Sequence, residues 1–144
     1  MKRHGSCILH KTMMLGMFLL LAAGLGHAQS GIRVNVPFNF EIGGRTFPAG
    51  EYSLKPLPQF PHAVALQNQS GRTLSYIGTN SVQSRDVASL TKLVFNRYAG
   101  QYFLTQMWVA GSEVGWETMK SPVEIQLAKY SSGQQIALLS LTGR

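Results

Sequence analysis

The chain has 144 residues, of which 44% are hydrophobic and 13% charged, with a formal net charge of +7. That length suits one domain, and the charged share is about half that of an ordinary globular protein. Disorder, which needs low hydrophobicity and high net charge, is excluded; a single cysteine excludes a disulfide scaffold, and no zinc-ribbon or zinc-finger spacing is present.

Residues 1–28 read as a secretory signal peptide. Lys2, Arg3 and Lys11 form a positive start, Met13 to Leu25 is an unbroken apolar run, and Gly26-His27-Ala28 places small residues for cleavage before Gln29. The run is shorter than the roughly 20 apolar residues of a membrane span, and Gln29 stands where a lipid-modified leader would carry cysteine. The expected product is therefore a secreted or periplasmic chain, residues 29–144, that does not span a membrane by a helix after cleavage. It loses Cys7 and keeps ten Lys and Arg against six acids, a net charge of +4. The ten cations stand singly in sequence, without the basic cluster of a nucleic-acid binder, so no nucleic-acid partner is expected. Mild positive charge suits solubility, or a weak affinity for anionic cell-envelope polymers.

The remaining pattern is β. Ile32, Val34, Val36, Phe38, Phe40 and Ile42 alternate with Arg33, Asn35, Pro37, Asn39 and Glu41, which places six apolar side chains on one face of a long strand. Pro37 cannot donate to a ladder and marks an edge or bulge. Gly43-Gly44 suits a tight hairpin turn, Phe47-Pro48-Ala49-Gly50 suits a type I turn, and Glu51 to Lys55 forms a short return strand. Pro56, Pro58 and Pro61 predict an extended, unpaired link. Strands over 63–68 and 73–77 flank a turn at Ser70-Gly71, and 78–88 reads as a polar loop.

Lys92–Tyr98 and Gln101–Val109 form a hairpin around Ala99-Gly100. With a two-residue turn, Arg97 faces Tyr102, Phe95 faces Leu104 and Leu93 faces Gln106. One face carries Leu93, Phe95, Tyr102, Leu104 and Trp108, the other Val94, Tyr98, Phe103 and Met107, so both faces need a cover. Ser121-Pro122-Val123-Glu124 is a capping-box start, with Val123, Leu127 and Tyr130 forming the apolar stripe of the expected single helix. Residues 134–141 read as a last strand that closes the sheet. The expectation is a mainly β, single antiparallel sandwich or small barrel of about seven strands with one C-terminal helix.

Catalytic residue types are sparse. Residues 29–144 hold one histidine, His62, and one aspartate, Asp86, so a Ser-His-Asp set would have to use both. No carboxylates and histidine share metal-ligand spacing. Ser89-Leu90-Thr91-Lys92 matches the S-x-x-K string but opens a strand instead of a helix. Glu113 and Glu117 flank Trp116, as in sugar-processing sites, though a turn with exposed acids explains them more simply. Asn68-Gln69-Ser70 is a glycosylation sequon that matters only in a eukaryotic host. No catalytic, cofactor or metal residues are assigned, and a non-enzyme is expected. Phe95, Arg97, Tyr102, Trp108 and Trp116 are the candidate ligand contacts, weighed against the ordinary role of strand aromatics as core; Arg97 and Tyr102 also read as a surface cation–π pair.

Val36-Pro37-Phe38-Asn39-Phe40, Gly43 and Phe47-Pro48-Ala49-Gly50-Glu51-Tyr52 resemble the V-P-F-x-F…P-A-G-x-Y opening of small exported β-domain proteins of soil bacteria. Lys92 to Tyr98, Gln101 to Leu104 and Trp108 are similar to that family's second block, and Glu124, Leu127, Ala128 and Lys129 to its closing helix. The resemblance implies export and a compact β domain and supplies no catalytic residues; a strand over 134–141 departs from its pattern. The leading expectation is a non-enzymatic binding or envelope-associated domain. A barrel carrying a small apolar ligand and a hydrolase of unknown substrate are the alternatives.

Overall fold

The computed structural model describes residues 31–139. The leader, its cleavage point before Gln29 and the expected strand end past Leu139 lie outside the described residues. Within them the chain forms β1 (Ile32–Val36), β2 (Phe40–Ile42), β3 (Arg45–Phe47), β4 (Gly50–Leu57), β5 (Phe60–Asn68), β6 (Thr73–Gln83), β7 (Lys92–Tyr98), β8 (Gln101–Trp108), β9 (Val114–Thr118), helix α1 (Pro122–Tyr130) and β10 (Gln134–Leu139).

The ladders run β1-β4-β5-β6-β9-β8-β2-β3, and β7 and β10 extend the sheet from β8. All pairings are antiparallel except β2 with β8, where Phe40 and Glu41 lie beside Tyr102 and Phe103. The sheet turns on β6. Its first half pairs β5 and its second half pairs β9, so one strand belongs to both parts. The sheet is open: β1 approaches β10 without forming a ladder with it.

The alternation from Ile32 to Ile42 holds as a burial pattern. Ile32, Val34, Val36, Phe40 and Ile42 are all buried, and Phe38 packs against the same core. Pro37 splits the run, because a residue without an N–H cannot continue a ladder. β1 stays with β4 while β2 crosses to β8. The chain returns between β3 and β4, and the Ala49 N–H donates to Asn39 Oδ1 at 3.0 Å, tying the two crossings together. Gly43 and Gly44, at φ 57° and 84°, make the β2–β3 turn, the left-handed pair that a two-residue hairpin needs.

Among the described residues ten strands stand where about seven were expected, for three local reasons. Pro37 divides the first strand, Arg45–Phe47 pairs with β2, and Val114–Thr118 forms β9 despite its glycine and glutamate. The expected proline link is instead a hairpin in which β4 and β5 pair Pro56 with Val64; the register shift between Pro56 and Leu57 falls where the missing N–H interrupts the ladder. The expected polar loop also shortens, because β6 runs to Gln83 against β9.

The β7–β8 hairpin keeps its predicted register from Tyr98–Gln101 to Phe95–Leu104, then slips by one residue, so that Val94 faces Gln106 and Leu93 faces Met107. Thr105 is the extra residue, and its hydroxyl donates to the Val94 carbonyl at 3.0 Å. A one-residue slip exchanges the faces beyond it. Met107 therefore joins the core with no exposed surface, and Trp108 moves to the opposite face, correcting the expected Leu93–Trp108 face.

The helix begins as expected: Ser121 Oγ accepts from the Glu124 N–H at 3.2 Å. Its burial is inverted. Glu124 is 2% exposed, whereas Val123, Ile125 and Tyr130 face solvent, so the expected stripe of Val123, Leu127 and Tyr130 is not what seats it. β10 pairs with β7 along its length and extends the sheet without closing it.

Candidate functional site

The turn between β5 and β6 is built by Asn68. Its Oδ1 accepts from the Arg72 N–H at 2.9 Å and from Ser70 Oγ at 2.7 Å, the local side-chain-to-backbone bonding that makes Asn a turn former. Gly71 follows at φ 79°. The result is a pinned turn with Arg72 exposed at its end.

Two adjoining concavities meet at this turn and share Glu51, Tyr52, Asn68 and Gln69. The smaller, about 300 Å³, lies on the outer side of β1, β4 and β5 and is lined by Arg33, Ser53, Lys55 and Gln67. Arg33 pairs with Ser53 and Ser53 with Gln67, so these three side chains form one row across three strands. The larger, about 730 Å³, runs between β3 and the turn and adds Arg45, Phe47, Arg72 and Leu74.

Local contacts orient this groove. The Arg45 guanidinium lies 5.8 Å from the Phe47 ring centre, and its Nη1 donates to Ser75 Oγ at 3.4 Å, so it reaches from β3 toward β6. Tyr52 donates its hydroxyl to the Pro48 carbonyl at 2.6 Å, and burial pushes its phenol pKa up, which keeps it a neutral donor. Four cations (Arg33, Arg45, Lys55 and Arg72) line the joined groove with one acid, Glu51. They come from β1, β3, β4 and the β5–β6 turn, which is why residues isolated in sequence gather in space. A row of guanidinium, ammonium and amide groups can hold a polar, negatively charged ligand.

The sequence candidates separate. Phe95 is fully buried, edge-on to Phe38 at 5.3 Å and to Phe40 at 5.6 Å. Tyr102 stacks on Phe38 at 3.8 Å, and the Arg97 guanidinium lies 5.5 Å from the Tyr102 ring centre. Trp116 is half-buried against the core. Trp108 donates Nε1–H to Gln106 Oε1 at 3.1 Å and packs so closely on Gly115 that a Cβ there would meet its ring at 2.8 Å.

His62 is exposed on β5, and Asp86 is exposed between β6 and β7. Asp86, Ser89, Lys92 and Trp108 do line one shallow groove of about 340 Å³. Lys92 begins a strand there, so the S-x-x-K string lacks the helix start its chemistry uses. Among the described residues no group of three or more His, Cys, Asp or Glu is placed to hold a metal ion.

The sequence reading also missed a polar cluster beneath α1. Glu124 points into the molecule with Oε1 buried and unpaired, and Glu41 Oε1 is likewise buried without a partner. Desolvation raises the Glu124 pKa, with Glu41 and Glu117 adding to the rise, while Lys120 and a hydrogen bond with Asn96 oppose it. A capping-box glutamate ordinarily reaches back toward its own cap, so only the three-dimensional fold reveals this placement.

No known protein family, no curated protein and no solved structure matches the chain.

Proposed function

We propose that the chain is an exported, non-enzymatic β-sandwich module, secreted or periplasmic, that acts by binding an anionic component of the cell envelope. The observation that carries this reading is the cation- and amide-lined groove around the β5–β6 turn. The signal-peptide pattern and the resemblance to small exported β-domain proteins support export. The turn of the sheet on β6 supports two layers in preference to a closed barrel.

The fully buried Phe95, Leu104 and Met107 weigh against an apolar-ligand carrier, which needs that interior volume for its cargo. The exposed His62 and Asp86, on separate elements, weigh against a hydrolase, which needs a base within hydrogen-bond reach of a nucleophile.

The test is expression of the full chain with its leader in a bacterial host, followed by fractionation and intact mass measurement. The expected species starts at Gln29, leaves the cytoplasm and cosediments with purified peptidoglycan sacculi. An uncleaved cytoplasmic species overturns the export, and a cleaved species that stays in the supernatant overturns the binding role.

A further inference from the structure

We infer that the joined groove is a binding site for a linear glycan bearing carboxylates, with Arg45 and Arg72 as the residues that read the acid groups. This rests on the binding-module reading and names the ligand class of the same site.

The first argument is charge. Four cations and one acid line two adjoining lobes that share four residues, and a planar guanidinium forms two parallel bonds to a carboxylate. Arg72 projects from a turn that Asn68 has already fixed, and Arg45 is held across Phe47 toward Ser75. The Arg45 head and the Arg72 backbone are thus held before a ligand arrives, which lowers the entropy cost of binding.

The second argument is the neutral chemistry beside them. Gln69 is exposed at the junction of the two lobes and makes no hydrogen bond among the described residues, so its amide can donate and accept. An amide beside guanidinium groups matches hydroxyls alternating with carboxylates along a sugar chain. The lobes, of about 300 and 730 Å³, fall in the range of small-molecule sites, and the four residues they share at the turn place them side by side, which suits a strand that passes from one to the other.

The third argument is what the groove does not offer. Single-stranded nucleic acid is held by stacking on exposed aromatic faces, yet Phe47 and Tyr52 are each only 6% exposed. A lipid surface is held by exposed apolar side chains, and none of the large exposed hydrophobic residues lines this groove.

The experiment is calorimetric titration of the mature chain with polygalacturonate oligomers at low salt, beside neutral dextran and oligo-dT. Binding to polygalacturonate alone is expected, weakening as salt rises. The double variant Arg45→Gln/Arg72→Gln should lose at least tenfold in affinity. The charge-matched pair Arg85→Gln/Lys129→Gln, outside the groove, should change it less than twofold. Melting curves of both variants confirm the fold. Equal losses in the two pairs, equal binding of oligo-dT, or no preference over dextran overturns the inference. If any of these occurs while the chain still cosediments with sacculi, the binding-module reading stands and only the assigned ligand falls.

Discussion

Ala99 stands at φ 48° in the turn between β7 and β8, followed by Gly100 at 83°. A two-residue hairpin needs both central residues left-handed, and a residue with a Cβ pays roughly 1–2 kcal/mol for that conformation. Asparagine tolerates it far better, so Ala99→Asn should stabilise the domain by about 0.5–1 kcal/mol, read as a higher urea midpoint at unchanged m-value. A lower midpoint would show that the exposed alanine makes a contact worth more than its strain. At this scale the turn was readable from Ala99-Gly100 alone, because turn chemistry is local. The pairing of Ala49 with Asn39 was not, since a side chain reaching across two crossings leaves no periodic mark.

Elements were legible where one backbone rhythm ran uninterrupted and illegible where one side chain changed it. Every apolar position from Ile32 to Ile42 was identified correctly, yet the single long strand was wrong, because burial on one side does not reveal that Pro37 moves the chain between partners. The β7–β8 register was correct up to Phe95–Leu104, beyond which Thr105 shifted the faces. Its hydroxyl bond to the Val94 carbonyl occupies an acceptor at the irregular point of the ladder. Thr105→Val preserves shape and removes that donor, so it should cost about 1–2 kcal/mol, the penalty for stranding a buried carbonyl. Chemical denaturation measures it. An unchanged midpoint would mean the bulge is held by its ladder alone. β9 was missed for a different reason: Gly115 has a low strand propensity but is required where the Trp108 ring presses on the backbone.

Across the whole molecule, the groove and the seat of α1 were hidden for one reason, that each draws its polar groups from elements far apart in the chain. The helix is the clearer case. Val123, Ile125 and Tyr130 face outward and its buried residue is a glutamate, so its attachment depends on whether that carboxyl carries charge. Burial raises the Glu124 pKa, reinforced by Glu41 and Glu117 and opposed by Lys120 and Asn96. The folded state therefore holds the proton more tightly than the unfolded chain. The resulting stabilisation is complete below the ordinary carboxyl pKa and is lost as pH rises through the raised value. Glu124→Gln keeps the shape without the ionisation, so it should melt close to the parent in acid. By pH 7 it should melt a few degrees higher, corresponding to about 1 kcal/mol, because the variant buries no charge there. Hydrogen exchange locates the effect: amides of α1 should open more readily with rising pH in the parent than in the variant, after correction for intrinsic exchange, while those of β7 and β8 change little. Parallel melting curves for the two proteins across this range would mean that Glu124 keeps the same proton affinity folded and unfolded, and that the helix is held by its Ser121 cap and backbone connections instead.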